Sequence, residues 1–320
     1  MGIQPVKLNA IELSTVLRPS GSLQQDITLR NDELHARFPG LMEQLLKHAV
    51  AIEWLDSNPD GSDQQLFTCS AFVVSVRGMW FLVTAGHVLD GRASRIAAGR
   101  RIASTLLFDA CAGNSFPGIL IDLEGCPALR HDNNHGWDYG IVLLRPYYAQ
   151  LLAAGGIKPV SERAWSNQPS DVFARVMLGV PGELRRPVIV KQGSQTKAQS
   201  SSAWVLFGLQ PARHIPECFG EDRDIRIYGV VAPGEVVEDG VGTPITDIRG
   251  TSGGPIFDLH RDAEGRAVYS LVGVQSSWHK PTGTISGTPL WPVLTSFAEG
   301  LDAGLRDRHQ MGEAPQAANP

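Results

Sequence analysis

The pattern of apolar and polar residues becomes strand-like from position 49. From there, short apolar or alternating segments are separated by Gly, Pro, Asn and Asp, which is typical of an all-β chain. About a dozen strands with few long helices favour two packed six-stranded antiparallel β-barrels over parallel strands joined by helices. We place the division between the barrels near 155–170. The predicted strands are Ala49–Trp54, Leu66–Val76, Trp80–Thr84, Ile102–Phe108, Ile119–Leu123, Tyr139–Leu144, Val172–Gly179, Pro187–Lys191, Ala203–Leu209, Ile225–Val231, Pro255–Leu259 and Tyr269–Gln275.

The strand-like region is 49–306, and the residues before it, at its C-terminal end and after it have a different pattern. Residues 1–48 are mixed in polarity, and only Asn31–Lys47 has helical spacing, so we expect a partly helical N-terminal extension. Apolar residues of Pro292–Leu305 recur at helical spacing, which predicts an amphipathic C-terminal helix packed on the β region. Residues 307–320 are polar and are predicted to form a disordered tail.

Composition and charge exclude several classes of function. The 320 residues are 42% hydrophobic and 19% charged, as in a folded protein, and 34 glycines and 21 prolines indicate many turns. The formal net charge is -5 with no long basic run, so we expect no nucleic-acid partner. The beginning of the chain lacks a secretory-signal pattern, and no apolar run approaches the roughly 20 residues that cross a bilayer. A cytoplasmic location without membrane binding is the expectation.

Neither the four cysteines nor a histidine-rich segment predicts a metal site. Cys69, Cys111, Cys126 and Cys218 are sparse and lack zinc-site spacing, so we expect free thiols, with Cys111 and Cys126 buried. The histidines and acids between Arg130 and His135 are interpreted as a solvated loop. No metal and no cofactor is expected.

Two motifs pair a histidine with an acid. Phe81–Val88 reads as a strand that ends at two small residues, which permit a sharp turn and leave His87 at the strand end. Asp138 opens the apolar run Tyr139–Leu144, and a carboxylate that loses solvent there needs a hydrogen-bond donor such as a histidine Nδ1-H. A surface histidine and a strand-capping aspartate are the ordinary alternatives. Three other acids are weaker candidates for the same role: Asp109, Asp122 and Asp132.

The third motif, Arg249–Phe257, has glycines beside Ser252. An acyl-transfer nucleophile needs backbone amides directed at the developing oxyanion, and adjacent glycines allow that conformation. The N-H groups of Gly250 and Ser252 are the expected donors. A glycine-rich turn is the alternative for this motif alone. The strand that begins at Pro255 excludes the nucleophile elbow of α/β-hydrolases.

The three motifs follow one another in the order His, Asp, Ser. The blocks Thr84–His87, Asp138–Leu143 and Gly250–Pro255 resemble the catalytic blocks of trypsin-like serine peptidases, and they cover the chain from about Ala49 to Leu305. The resemblance implies a chymotrypsin-like fold with the site between two barrels. It also implies cleavage of a polypeptide substrate through an acyl-enzyme, with His87, Asp138 and Ser252 as the triad.

Two departures make the chain more similar to bacterial intracellular or heat-shock-type members of that family. Cys69 lies where secreted members have a bridged cysteine, but Val88 occupies the position of its partner. Thr251 precedes the serine where zymogen-activated members have an aspartate that pairs with a freed N-terminus. We therefore expect no activation by that route.

The resemblance also suggests substrate-binding residues. Leu271–Ser276 is similar to the strand that pairs with substrate, and Thr246 and Asp247 lie where the pocket base is expected. Asp247 would favour a basic side chain if the alignment shifts by one residue, and a water-facing loop aspartate is the alternative. Ser276 and Trp278 complete the predicted set.

The sequence therefore predicts a serine endopeptidase, and two alternatives remain. One is a catalytically silent binding module with the peptidase fold. The other is a protease of a defence or stress pathway that a regulatory protein partner controls.

Overall fold

The structure is a computed structural model that describes residues 40–111, 118–131, 137–166, 171–184, 186–192, 195–201, 203–219, 225–231, 234–238 and 241–310. Most of the predicted N-terminal extension lies outside these ranges. Its described part contains the helix α1 (Leu41–Leu46), which ends three residues before the start of the first strand.

The first half of the chain forms one antiparallel sheet of seven strands. They are β1 (Ala49–Ser57), β2 (Gln65–Val76), β3 (Met79–Thr84), β4 (Arg101–Asp109), β5 (Ile119–Leu120), β6 (Ala128–His131) and β7 (Tyr139–Leu143). Their order across the sheet is β5-β4-β1-β2-β3-β7-β6. The helices α2 (Gly86–Ala97) and α3 (Pro146–Ala154) follow β3 and β7 along the chain.

The second half forms a closed six-stranded barrel. Its segments are the short helix α4 (Glu162–Ser166), β8 (Val172–Gly179), β9 (Arg186–Gln192), β10 (Gln195–Ser201), β11 (Val205–Gln210), β12 (Ile227–Val231), β13 (Gly234–Glu238), β14 (Val241–Ile245), β15 (Pro255–Arg261), β16 (Ala267–His279), β17 (Thr284–Pro289) and the helix α5 (Trp291–Gln310). The barrel order is β11-β12-β17-β16-β15-β8, and β9-β10 and β13-β14 are separate two-stranded pairs.

The all-β prediction is confirmed, with a correction to the first half. The barrel has six antiparallel strands as expected, whereas the first half is a seven-stranded sheet that does not close among the described residues. Its edge strands β5 and β6 have only two and four residues, and each pairs with a single neighbour. Short edge strands offer few backbone groups for further pairing.

A shared apolar core joins the sheet to the barrel. Phe72 and Ile141 from the sheet pack in one cluster with Phe257 and Leu271 from the barrel, and all four side chains are buried. The helix α5 adds Leu294 to this cluster. Each Å² of apolar surface that is buried stabilises the fold by about 25 cal/mol, so this contact is a major source of stability. Residues of the two halves are therefore held in fixed positions where they meet.

The C-terminal helix is confirmed and is longer than predicted. It extends to Gln310, so the first residues assigned to a disordered tail are helical, and 311–320 lie outside the described residues. The carboxylate of Asp302 in this helix accepts two hydrogen bonds from Arg77, at 2.8 and 2.7 Å. This ion pair joins the helix to the β2-β3 turn. No helix in the part of the chain that the structure describes is long and apolar enough to cross a membrane.

Two arginines bind a buried carboxylate at the end of β1, and one of them also binds the loop between β1 and β2. The buried carboxylate of Asp56 accepts from Arg95 Nη1 at 2.6 Å and from Arg100 Nε at 2.5 Å. Arg100 also donates to Asn58 Oδ1 at 2.8 Å and to Asp63 Oδ2 at 2.7 Å. A buried carboxylate is tolerated when it is paired and hydrogen-bonded, so Arg95 and Arg100 allow Asp56 to be fully buried.

Candidate active site

The first turn of α2 brings His87 into contact with Asp138. His87 Nδ1 lies 2.6 Å from Asp138 Oδ2, and the backbone N-H of His87 donates to Asp138 Oδ1 at 2.9 Å. The N-H groups of a first helical turn have no partner inside the helix, so the carboxylate also caps α2. A carboxylate accepts hydrogen bonds, which places the imidazole proton on Nδ1 and leaves the Nε2 lone pair available.

The barrel supports Asp138 from the other side. Asp138 N-H donates to Thr288 Oγ1 at 2.9 Å, and the Thr288 hydroxyl donates to the Asp138 carbonyl at 3.2 Å. The Asp138 side chain is 2% exposed, whereas that of His87 is 46% exposed. The pair therefore has a buried acid and a histidine that solvent or a substrate can reach.

The loop that contains Ser252 is held by both halves of the molecule. The backbone N-H of Ser70, in β2, donates to the carbonyls of Gly250 and Ser252 at 3.0 and 3.1 Å. On the barrel side, Gly253 N-H donates to the Gln275 carbonyl at 2.8 Å. These bonds fix the backbone on both sides of the serine.

Gly253 shows how closely this loop packs against the first sheet. Its φ is +90°, and a Cβ there would lie 2.1 Å from both the Ser70 carbonyl oxygen and Thr84 Oγ1. Thr84 ends β3, three residues before His87. The Ser252 loop and His87 therefore lie at the same end of β3.

The Ser252 hydroxyl makes no hydrogen bond with any residue that the structure describes, His87 included. The residue itself is partly buried. In enzymes without substrate, a hydrogen bond to a general base is often long, and it shortens in the complex. The histidine and acid are thus joined directly, whereas the backbone of the serine loop is bound by Ser70 and Gln275.

The backbone amides of the loop fall into two groups. Thr251, Gly253 and Gly254 donate their N-H groups to carbonyls, at 3.1, 2.8 and 2.8 Å. Within the described ranges, the N-H groups of Gly250 and Ser252 have no acceptor. The two amides predicted as oxyanion donors are therefore the two that remain available.

The predicted pocket residues Thr246 and Asp247 are engaged with other side chains. Glu183 accepts from the Thr246 N-H and hydroxyl at 2.7 and 3.2 Å. Arg249 binds the Asp247 carboxylate at 2.9 and 3.0 Å, and Lys280 Nζ lies 3.5 Å away. The hydrogen bonds from Arg249, with the charge of Lys280, lower the pKa of Asp247 to about 2. These two cations leave Asp247 no unpaired charge for a basic substrate side chain.

Ser276 and Trp278 lie on β16 near an irregularity in the sheet. The register of β16 against β17 shifts between Gln275 and Ser277, a bulge of the kind that redirects side chains near binding sites. Ser276 is buried and donates to the Ser286 carbonyl at 3.2 Å, and Trp278 is partly buried. None of the four predicted pocket residues bonds to the triad candidates among the described residues.

Two of the three alternative acids, Asp109 and Asp122, bind other groups. Asp109 accepts from the Cys111 N-H at 2.6 Å, and Asp122 accepts from the Gly125 N-H at 3.0 Å. Asp132 lies outside the described residues. Asp138 is thus the acid that the fold brings to the histidine.

The cysteines are free, with one correction to their predicted burial. Cys69 and Cys126 are buried, but Cys111 is exposed, as is Cys218. Cys111 comes two residues after the end of β4, where the chain leaves the sheet. The described residues contain no cluster of three or more His, Cys, Asp or Glu side chains that could hold a metal ion.

Sequence reasoning missed the residues that support the motifs. Thr288 binds the Asp138 backbone, and Ser70 and Gln275 bind the Ser252 loop. Thr288 and Ser70 lie in no recognisable motif, Gln275 was noted only as part of Leu271–Ser276, and each acts on a residue at least 21 positions away in the chain. A pairing of distant strands was the only signal that could have found them.

Comparisons with known proteins gave structural likenesses alone. No family model and no curated protein matches the chain. The protease Anisep from Arthrobacter nicotinovorans is 16% identical, with 76% of this chain and 90% of that chain covered and a TM-score of 0.41. The thermostable serine protease AL20 from an extremophilic microorganism is 16% identical, with 76% of this chain and 91% of that chain covered and a TM-score of 0.42. The serine protease domain of the Sesbania mosaic virus polyprotein is 12% identical, with 78% of this chain and 91% of that chain covered and a TM-score of 0.38. At these identities and TM-scores, the likenesses carry no functional argument.

Proposed function

We propose that this protein is a serine endopeptidase, with Ser252 as nucleophile, His87 as general base and Asp138 as the group that orients His87. One observation carries the proposal. The carboxylate of Asp138 binds both Nδ1 and the backbone N-H of His87, beside a serine loop with two available amides. This arrangement has the orienting acid, the base and the oxyanion donors that acyl transfer needs.

The proposed reaction follows from the proton positions. Ser252 Oγ attacks the carbonyl carbon of a peptide bond while its proton moves to His87 Nε2, the nitrogen that Asp138 leaves unprotonated. The N-H groups of Gly250 and Ser252 stabilise the negative oxygen. The carbon-nitrogen bond breaks as Nε2 returns the proton to the leaving amine, and water then hydrolyses the acyl ester by the same route.

A catalytically silent module, or a protease that a regulatory partner holds inactive, is the second candidate. The observation in its favour is the absence, among the described residues, of a hydrogen bond from the Ser252 hydroxyl to His87. A site that is assembled but not closed would have the same appearance before activation.

Fluorophosphonate labelling of the purified protein tests the proposal. We expect one label per folded chain at Ser252, detected by mass spectrometry, and none on Ser252→Ala or on heat-denatured protein. Cleavage of a peptide library should fall about a million-fold in kcat for Ser252→Ala, because the members of such a triad act as a unit. Full cleavage by Ser252→Ala would exclude the assignment, and a folded wild type that neither labels nor cleaves would favour the silent module.

A further inference from the structure

Ser70 connects the first sheet to the loop of the proposed nucleophile. It lies in β2 and is fully buried. Its hydroxyl donates to the Gly250 carbonyl at 3.0 Å and accepts from the Val180 N-H at 2.9 Å. Its own N-H donates to the carbonyls of Gly250 and Ser252. The hydroxyl thus uses its donor and an acceptor site on two different barrel segments.

The direction of the Gly250 N-H depends on the peptide group that it shares with Arg249. In a trans peptide the C=O and N-H bonds point in opposite directions. The Arg249 carbonyl accepts from the Gly182 N-H, so the Gly250 N-H points away from Gly182. The Ser252 N-H is fixed in the same way, because the Thr251 carbonyl accepts from Gly254.

The next peptide group is the one that Ser70 holds. Gly250 has φ +99°, a region in which glycine has no Cβ to restrict it, so local preference does not fix this residue. A Cβ at Gly250 would also lie 2.8 Å from the Val180 carbonyl oxygen, which shows how close the two segments are. With its own carbonyl bound twice by Ser70 and the preceding carbonyl bound by Gly182, Gly250 has little freedom to rotate.

We infer that Ser70 is a positioning residue: its hydroxyl fixes the backbone of Gly250, and with it the Gly250 N-H, the first of the two proposed oxyanion donors. This inference rests on the proposed function and adds a residue outside the triad and the oxyanion donors themselves. Ser70 acts through Gly250 and Val180 and touches no reacting atom.

A pair of variants of equal shape isolates the hydroxyl. Ser70→Thr keeps it and Ser70→Val replaces it with a methyl group, so any disturbance of packing is shared. We expect kcat of the Val variant to be about 10- to 100-fold below that of the Thr variant. The reason is that losing one oxyanion donor costs roughly 10²- to 10³-fold, and Ser70 acts on a donor indirectly. KM should differ by less than about threefold, because substrate binding in the ground state is not changed.

Binding of a peptide aldehyde gives a second readout. The aldehyde forms a tetrahedral adduct with a serine nucleophile, so its affinity should fall in parallel with kcat, while the affinity for the corresponding product peptide stays constant. Ser270→Ala is the matched control. Ser270 is 1% exposed and its hydroxyl lies 2.9 Å from His260 Nε2 in the barrel, away from the Ser252 loop. That variant should keep its kcat.

The outcomes separate this inference from the proposed function. Equal kcat and equal aldehyde affinity of the Thr and Val variants would overturn the role of Ser70, while an inactive Ser252→Ala would preserve the peptidase assignment. A wild type that fails to label would remove both. If circular dichroism shows that the β-branched variants do not fold, Ser70→Ala is compared with Ser270→Ala by the same criteria, because neither adds atoms to the core.

Discussion

The first sheet and the barrel hold their candidate catalytic groups by different means. The sheet holds His87 through a carboxylate that binds both its side chain and its backbone. Ser252, in the barrel half, is held through backbone hydrogen bonds from both halves and a glycine at positive φ, and the side chain of Ser252 has no bond among the described residues. The first arrangement should be sensitive to loss of a functional group, and the second to any added atom.

Asp138→Asn tests the first arrangement and should have the largest effect among the variants that test this comparison. The amide can donate to Nδ1, which would place the imidazole proton on Nε2 and remove the base, so we expect kcat to fall about 10⁴-fold with little change in Tm. Hydrolysis of a fluorogenic peptide measures the effect. Asp122→Asn, whose carboxylate accepts from the Gly125 N-H at the surface, is the control and should be fully active. A tenth of wild-type activity in Asp138→Asn would contradict the assigned tautomer.

Gly253→Ala tests the second arrangement against a matched position. Gly253 and Gly265 both have positive φ, at +90° and +78°, but a Cβ at Gly265 meets nothing within 4 Å. We expect Gly265→Ala to cost about 1 kcal/mol from backbone strain alone. Gly253→Ala should cost about 3 kcal/mol, because the contact with Ser70 and Thr84 must also be relieved. Its kcat should fall about 100-fold, as the loop shifts.

Denaturant unfolding measures the loss of stability in Gly253→Ala and Gly265→Ala, and peptide hydrolysis measures their kcat. Equal losses of stability would mean that strain alone matters at Gly253 and that the loop is not tightly packed against β3. Normal kcat in a destabilised Gly253→Ala would show that the position of the Ser252 loop is less restricted than its contacts indicate.

The smallest effect concerns His48, which links the two halves away from the site. Its Nδ1 lies 2.6 Å from the Lys158 carbonyl and its Nε2 lies 2.7 Å from the Tyr269 hydroxyl. Burial, the largest cause, lowers the pKa of His48 below 6.5. The unfolded chain therefore binds more protons just below pH 6.5, so this part of the stability is complete above that pH and is lost as pH falls toward the folded-state pKa.

Thermal unfolding between pH 7.5 and 4.5 measures this contribution. In the wild type, Tm should decrease as the pH falls through this range, and His48→Gln should remove part of the slope because glutamine does not titrate. An identical slope in both proteins would show that other groups account for the pH dependence.

Much of the candidate site was predictable because its residues lie in short motifs. His87 and Asp138 were assigned as partners from their order and from an acid at the start of an apolar run, and their side chains do meet. The strands on either side of them, β3 and β7, have continuous apolar runs that predicted their ends to within one residue. Local pattern was sufficient where burial of the strand was the deciding factor.

Elements that depend on distant partners were not predictable. The strand β17 has one large apolar residue, Ile285, and forms because β12 and β16 pair with it in the barrel. Its Thr288, which supports Asp138, was missed with it. The helix α2 was missed because its apolar positions are few, Gly91 interrupts it, and its first turn is capped by Asp138 from far along the chain.

Ser70 was missed for a related reason. It is one of several polar residues inside the predicted strand Leu66–Val76. Its hydroxyl binds Gly250, which lies 180 positions later. The sheet of the first half was predicted as a closed barrel because strand count was taken as a guide. Among the residues that the structure describes, β5 and β6 each pair with one neighbour and the sheet does not close.

The guanidinium of Arg100 has a practical consequence for the hairpin of β1 and β2. It lies among Asp56, Asn58 and Asp63, oxygen-rich side chains of the kind that hold dissolved calcium in other loops. Because this positive charge is part of the polypeptide and the Asp56 carboxylate that it binds is fully buried, ionic strength screens that pair weakly. The hairpin should keep its shape in chelating buffers and in high salt alike.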